Sequence, residues 1–245
     1  MRTKIEKGEF PLLQVTLLPG EEIYAEPGAL MTAEADITPI TEAGGFMKGL
    51  KRLVSGERIF VTRWKNEGSQ ERQVLLTVPF PGSIVPVDVG ESEVLVQRSA
   101  FVAAQPDVQT EARFTKKFGA GLFGGQGFVL QSLSGKGTAW FHAGGKILER
   151  RLKKGEQLRV VTDHVVGFQE TVDFDVKIVP KIGNVLFGGI GLFWATLTGP
   201  GKVYLQTMPI RQLALSVYPY MPQPNQSAVS LLNPQDAKLK SKLMR

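Results

Sequence analysis

The chain of 245 residues contains two histidines, His142 and His164, and no cysteine. Those two residue types carry most nucleophilic and transition-metal chemistry, so their scarcity removes whole classes of function. Without cysteine there is no thiolate nucleophile, no disulfide framework and no sulfur-ligated zinc. The histidines lie in separate strand-like segments, and no His-x-His pair of the kind that holds metal in a β-barrel occurs. A lone histidine in a strand reads as structural. Neither Gly-x-Ser-x-Gly nor His-Glu-x-x-His is present, so the common hydrolase signatures are missing. Asp173 and Asp175 in VDFDV fall on one face of a strand, where they suit calcium or plain solvent; solvent is the favoured reading. The chain is therefore expected to be no enzyme, with no catalytic residue, no metal and no cofactor.

Glycine-rich stretches are the remaining candidates for chemistry. FGGQGFVLQSLSGKG (Phe123–Gly137) and FGGIGLFWATLTGPG (Phe187–Gly201) both suggest a phosphate-cradling loop. A dinucleotide site needs its glycines between a strand and a helix, and a P-loop needs a Lys-Ser/Thr pair after them. Here the glycines lead into β-rich sequence. The second stretch is also too short for a membrane helix, which needs about 20 apolar residues. Its counterpart carries Gln126, Gln131 and Lys136.

The two stretches instead align with each other without a gap, sharing the phenylalanine, one leucine and every glycine of the first copy. VSGERIFVTRWKNEG (Val54–Gly68) is a weaker third copy. The pairs Gly56 and Gly68, Gly125 and Gly137, and Gly189 and Gly201 keep one spacing and are read as turn glycines. A second marker, Gly20-Glu21, Gly90-Glu91 and Gly155-Glu156, precedes an apolar strand each time. Internal repetition of this kind outranks other readings of a chain. It predicts three units, about 20–89, 90–154 and 155–219, in one domain spanning 1–219. Each has two strands, a connector, a glycine turn and two further strands. SQERQVLLTVPFP in the first unit reads as extra residues.

Short runs of Val, Ile, Phe, Leu and Thr between Gly, Pro and Asn make the body all-β. One segment departs from this. FMKGLKRLVSG places Phe46, Leu50, Leu53 and Val54 at helical spacing, with Lys48, Lys51 and Arg52 opposite. The equivalent connectors are also basic, with Arg113, Lys116 and Lys117 in the second unit and Lys177 and Lys181 in the third. These cations are candidates for contact with an anionic surface, with Phe46, Met47 and Leu50 as the apolar contact beside them. Residues 220–245, rich in Pro and Gln and then in Lys, read as a flexible tail. Lys and Arg exceed Asp and Glu by 29 to 23, a net charge of +6 that favours anionic partners. The N-terminus lacks the apolar run of a signal peptide, so a cytoplasmic location is expected.

GLKRLVSGERIFV, FGGQGFVLQSLSGKGTAWFHAGG and FGGIGLFWATLTGPGKVYLQT together resemble the prokaryotic relatives of altered inheritance of mitochondria protein 24, a mitochondrial-biogenesis family. The resemblance spans about residues 10–218. It implies a triplicated fold similar to the trp RNA-binding attenuation protein, of the short double-stranded β-helix type. It brings no catalytic residue to map and no RNA contact that can be placed on this chain. Eukaryotic members are associated with the organisation of the mitochondrial inner membrane. The function expected is a non-enzymatic assembly or scaffold protein. It would form a homo-oligomer, a trimer being favoured, with a peripheral membrane contact. The alternatives are a nucleic-acid-binding ring with a basic rim, which the strand-borne aromatics disfavour, and a small-ligand-binding module.

Overall fold

A computed structural model describes residues 1–40, 61–114, 129–178 and 193–221. After a lead-in strand, β1 (Arg2–Glu6), six strands follow in the same order three times. The first group is β2 (Leu12–Leu17), β3 (Glu22–Ala25), β4 (Leu30–Ala33), β5 (Ile37–Ile40), β6 (Thr62–Asn66) and β7 (Arg72–Leu76). The second is β8 (Gly82–Asp88), β9 (Val94–Gln97), β10 (Phe101–Ala104), β11 (Val108–Phe114), β12 (Val129–Gly135) and β13 (Thr138–Gly144). The third is β14 (Ile147–Leu152), β15 (Gln157–Val161), β16 (Val165–Gln169), β17 (Asp173–Ile178), β18 (Phe193–Thr198) and β19 (Gly201–Gln206).

In every group the sixth strand lies between the first and the third, and the fifth between the second and the fourth, all antiparallel. The third strand carries a bulge each time, at Leu30/Thr32, Phe101/Ala103 and Val165/Gly167. A 3-10 turn joins the second strand to the third: Pro27–Ala29, Arg98–Ala100 and Thr162–His164.

The groups share sheets. β3 pairs with β10 and β9 with β16, so the second strand of one group meets the third strand of the next. This makes two six-stranded sheets, β5-β6-β3-β10-β13-β8 and β11-β12-β9-β16-β19-β14. The leftover halves stand as β1-β2-β7-β4 and β15-β18-β17.

Alternation drives this arrangement. In LLQVTL of β2, Leu13, Val15 and Leu17 are fully buried while the residues between them are not. Each such side chain contributes about 1.5–3 kcal/mol relative to exposure. They pack with Ile23, Val74 and Leu76 into one of three cores, one per group. Neighbouring groups interlock, since Val102, Ala103 and Trp140 of the second group complete the first core.

Small polar devices set the turns. Gly20 and Gly155 take positive φ, +81° and +77°. The glutamate after each accepts a backbone N–H three residues back, from Leu18 to Glu21 at 2.8 Å and from Lys153 to Glu156 at 2.9 Å. That explains the Gly-Glu marker in the first and third groups. In the second, Asp88 takes the part by accepting from the Gly90 N–H. The closing glycines all sit against the turn between the third and fourth strands. A Cβ on Gly68 would strike Asp36, one on Gly137 would overlap Gln105, and one on Gly201 would strike Thr171.

The structure corrects the sequence reading in four respects. Each group has four strands before its connector and two after it, where two and two were expected. Its frame begins one strand before Gly-Glu, because β8 and β14 hydrogen-bond to β13 and β19. SQERQVLLTVPFP is no insertion, since it contains β7, the counterpart of β13 and β19. Only its turn is longer, and buried Asn66 organises it by donating to Leu17 O and Gln70 O and accepting from the Gly68 N–H. The chain beyond the body, Arg211–Arg245, is a separate unit. At the boundary a helix, α1 (Ile210–Val217), occupies the end of the span expected to be β.

Candidate functional site

The basic connectors join the fourth strand of each group to the fifth: β5 to β6, β11 to β12 and β17 to β18. Each leaves its sheet at the same hairpin end, since these strands pair directly. Phe46, Met47, Lys48, Leu50, Lys51, Arg52 and Gly56, with the helix expected there, lie outside the described residues. So do Lys116, Lys117, Lys181, Gly125 and Gly189, and the tail beyond 221. Arg113 is in β11 opposite Leu130, and Lys177 is in β17 opposite Trp194; neither side chain is among those described. Gly68, Gly137 and Gly201 are brought to equivalent turns, where their lack of a side chain permits a close approach.

The histidines sit in structural surroundings. His142 is 3% exposed, and its ring meets Phe80 edge-on at 4.3 Å between centroids. Burial lowers its pKa to about 4, against an opposing hydrogen bond with the Phe80 backbone, so it is neutral near pH 7. Register with the bulged third strands makes Thr77, His142 and Gln206 counterparts. Gln206 accepts from the Gly144 N–H at 2.9 Å and donates to Asp163 O at 2.8 Å, tying second group to third. His164 Nδ1 lies 2.7 Å from Gln206 O. Among the described residues no group of three or more His, Asp or Glu converges as a metal site.

A polar cleft of about 680 Å³ opens where the β2–β3 turn faces Gln105–Asp107 and Lys136–Gly137. Its charges are of both signs: Glu21, Glu22 and Asp107 with Lys65 and Lys136. Glu21 accepts from the Met1 ammonium; burial raises its pKa, but the ammonium and the Leu18 N–H hold it below the ordinary carboxylate value. Glu22 lies 3.5 Å from Arg63. This cleft presents compensated charge rather than an acid–base pair. Trp140 and Tyr204, aromatic candidates for stacking on bases, are each 2% exposed, and burial raises the Tyr204 pKa to about 12.

The feature that sequence reasoning missed is at the sheet edges. β10 is buried along its whole length and β16 nearly so, whereas the matching strand β4 is exposed at Met31, Thr32 and Ala33. Likewise Leu158 and Val160 of β15 are only half-buried, where Ile23, Ala25, Val94 and Val96 are 0% exposed. A second signal was available in sequence: Glu34, Gln105 and Gln169 end the three matching strands. Each side-chain oxygen accepts a backbone N–H of the sixth strand, from Gln73 (2.8 Å), Thr138 (2.7 Å) and Lys202 (2.8 Å). Among the described residues no helix is long and apolar enough to cross a membrane.

Comparison with known proteins agrees with this arrangement. A Streptococcus pyogenes serotype M6 protein, named only as uncharacterised, is 28% identical over 232 residues, covering 91% of this chain and 92% of that one. The crystal structure of a Streptococcus pyogenes protein matches the fold with a TM-score of 0.72 at 24% identity, over 90% of this chain and 99% of the other. The family model described as mitochondrial biogenesis AIM24 matches residues 3–208. With nearly all of the strand-forming body inside that match, the chain belongs to the mitochondrial biogenesis AIM24 family.

Proposed function

We propose that this protein is a non-enzymatic assembly module, a self-associating scaffold made of three tandem units like those of the trp RNA-binding attenuation protein. The observation that carries this reading is the sharing of strands. Two sheets are each completed by a neighbouring group, while β1-β2-β7-β4 and β15-β18-β17 stop as halves of a third. A fold that builds its sheets by lateral addition, and ends on two such halves, is suited to joining copies. The scattered titratable groups support it too, because Glu21, Glu156 and Asp88 are occupied as turn acceptors.

In this reading the protein acts in the cytoplasm as a homo-oligomer, with three copies favoured. The segment with Lys48, Lys51 and Arg52 beside Phe46, Met47 and Leu50 provides a peripheral contact with anionic lipid. Burial of Trp140 and Tyr204 weighs against the nucleic-acid-binding ring, which needs exposed stacking faces. The test is sedimentation velocity over a range of concentrations, with flotation on neutral and anionic vesicles. Oligomers well above the 26.8 kDa monomer, and salt-sensitive flotation on anionic vesicles alone, are expected. A monomer at every concentration would refute the self-association. Flotation unaltered by Lys48→Glu, Lys51→Glu and Arg52→Glu together would refute the lipid contact.

A further inference from the structure

The two composite sheets define what their joining edges require. At the first junction Ala103 stands opposite Ala25 and Ala104 opposite Tyr24. At the second, Gly167, Phe168 and Gln169 stand opposite Val96, Leu95 and Val94. The third strand of one group therefore always meets the second strand of the group before it. Among the described residues two strands lack that neighbour: β4, a third strand with no preceding group, and β15, a second strand with no following one. They end separate sheets and form no bridge with each other within the chain.

The other sheet edges differ from these two. β1 carries Arg2, Lys4 and Glu6; β5 has Pro39; β8 has Pro86 and Asp88. β11 has Glu111, β14 has Glu149, Arg150 and Arg151, and β17 has Asp173 and Asp175. Charges and prolines on an edge are the usual devices against strand addition. β4 reads LMTA and has neither, and β15 reads QLRVV with Arg159 as its one charge. Met31 of β4 is 59% exposed, while its counterparts Val102 and Val166 are 3% and 1% exposed.

We propose that β4 of one copy and β15 of a second copy pair as antiparallel strands, completing a six-stranded sheet between chains. This deepens the self-association reading and rests on it. Carrying over the two internal registers places Thr32 opposite Val160, Ala33 opposite Arg159 and Glu34 opposite Leu158. Thr32 and Val160 then close the gap beside Leu158, extending the core of the third group across the boundary. The two surfaces differ, so the contact is heterologous. It closes into a ring when the rotation per copy permits, and otherwise runs on as a filament.

Absence of cysteine makes the test clean. Two pairs are made in the full chain, Thr32→Cys with Val160→Cys and Ala33→Cys with Arg159→Cys. Adjacent antiparallel positions alternate in spacing, so one of the two pairs has the closer Cα approach. Each substitution is also made alone, and the single variants are mixed after circular dichroism shows that they are folded. Mild oxidation is expected to give a mixed dimer only when the β4 and β15 variants are combined. The double variants are expected to give a ladder of reducible multimers. A disulfide confined to monomers of the double variant would overturn the proposal, since the sheet then closes within one chain. Free thiols in every folded mixture would overturn it as well. If sedimentation still showed oligomers in that case, self-association would stand and only this surface would fall. If it showed monomers, both would fall.

Discussion

At the β9–β16 junction Gly167 lies so close to its neighbour that a Cβ would come within 2.6 Å of Leu95 O and 2.9 Å of Val96 Cγ1. At β4 the matching residue is Thr32, and its side chain is exposed. Both strands have the same bulge, the same sixth-strand partner and the same Glx at their ends. Their difference is what lies on the free side. Burial in this fold is therefore conferred by the adjoining group as much as by a strand's own sequence. That separates positions whose substitution is felt within one chain from positions whose substitution is felt only in an assembly.

Enlarging the paired position should show this separation most strongly. Gly167→Leu forces a side chain into the junction and is expected to destabilise the folded chain by about 2–3 kcal/mol. Thr32→Leu should lie within about 0.5 kcal/mol in the dilute monomer. Chemical denaturation of both variants measures the contrast, and equal losses would mean that β4 is covered within its own chain.

Acid should act on the completed side of the comparison next. His142 has a folded pKa of about 4, below the usual 6.5. As pH falls from 6.5 to 4 the unfolded chain takes up a proton that the folded chain refuses. Stability is fully present above 6.5 and is lost progressively to about 4, by on the order of 2–3 kcal/mol. His142→Gln, borrowing the counterpart residue Gln206, should flatten that limb of the stability profile. The lowered carboxylates Glu21 and Glu156 work in the same direction at lower pH, because each loses its stabilising contribution as it is protonated. A profile that keeps its slope between pH 6.5 and 4 in His142→Gln would assign the acid sensitivity elsewhere.

The smallest contrast concerns the strand-end acceptors. Gln105→Leu and Gln169→Leu each leave a partly buried N–H without its partner, at a cost of about 1–2 kcal/mol. Glu34→Leu removes the equivalent bond at an exposed site, where water replaces it, and should cost about 0.5 kcal/mol or less. Thermal melts of the three single variants check the order.

The all-β class and the recurring markers were legible in the sequence for a stereochemical reason. Gly20, Gly137, Gly155 and Gly201 take positive φ, and Gly68 admits a close approach, so these positions select one residue type and leave a visible trace. β14 left no such trace. It exposes Leu148 to Arg151 in succession, and only its partner β19 makes it a strand. Asn66 was equally silent, since its buried role depends on Leu17 O from a distant strand. α1 was missed although Ile210, Leu213 and Val217 have helical spacing, because the β pattern was carried past Gln206. At the candidate surfaces, LMTA and FVAA look alike as short apolar runs. Nothing local tells which of them has a neighbour, so the open edges could not be read from sequence.

The shared sheets also govern how the chain is made. Tyr24 and Ala25 of β3 wait for Ala103 and Ala104 of β10, which leave the ribosome on the order of several seconds later. Each group in turn is born with an unpaired second strand and is satisfied only when the next third strand arrives. Such non-local pairing slows folding and leaves apolar edges open to neighbouring nascent chains. Among the described residues β15 has no later strand to receive, so its edge is the one that synthesis of the three groups leaves open.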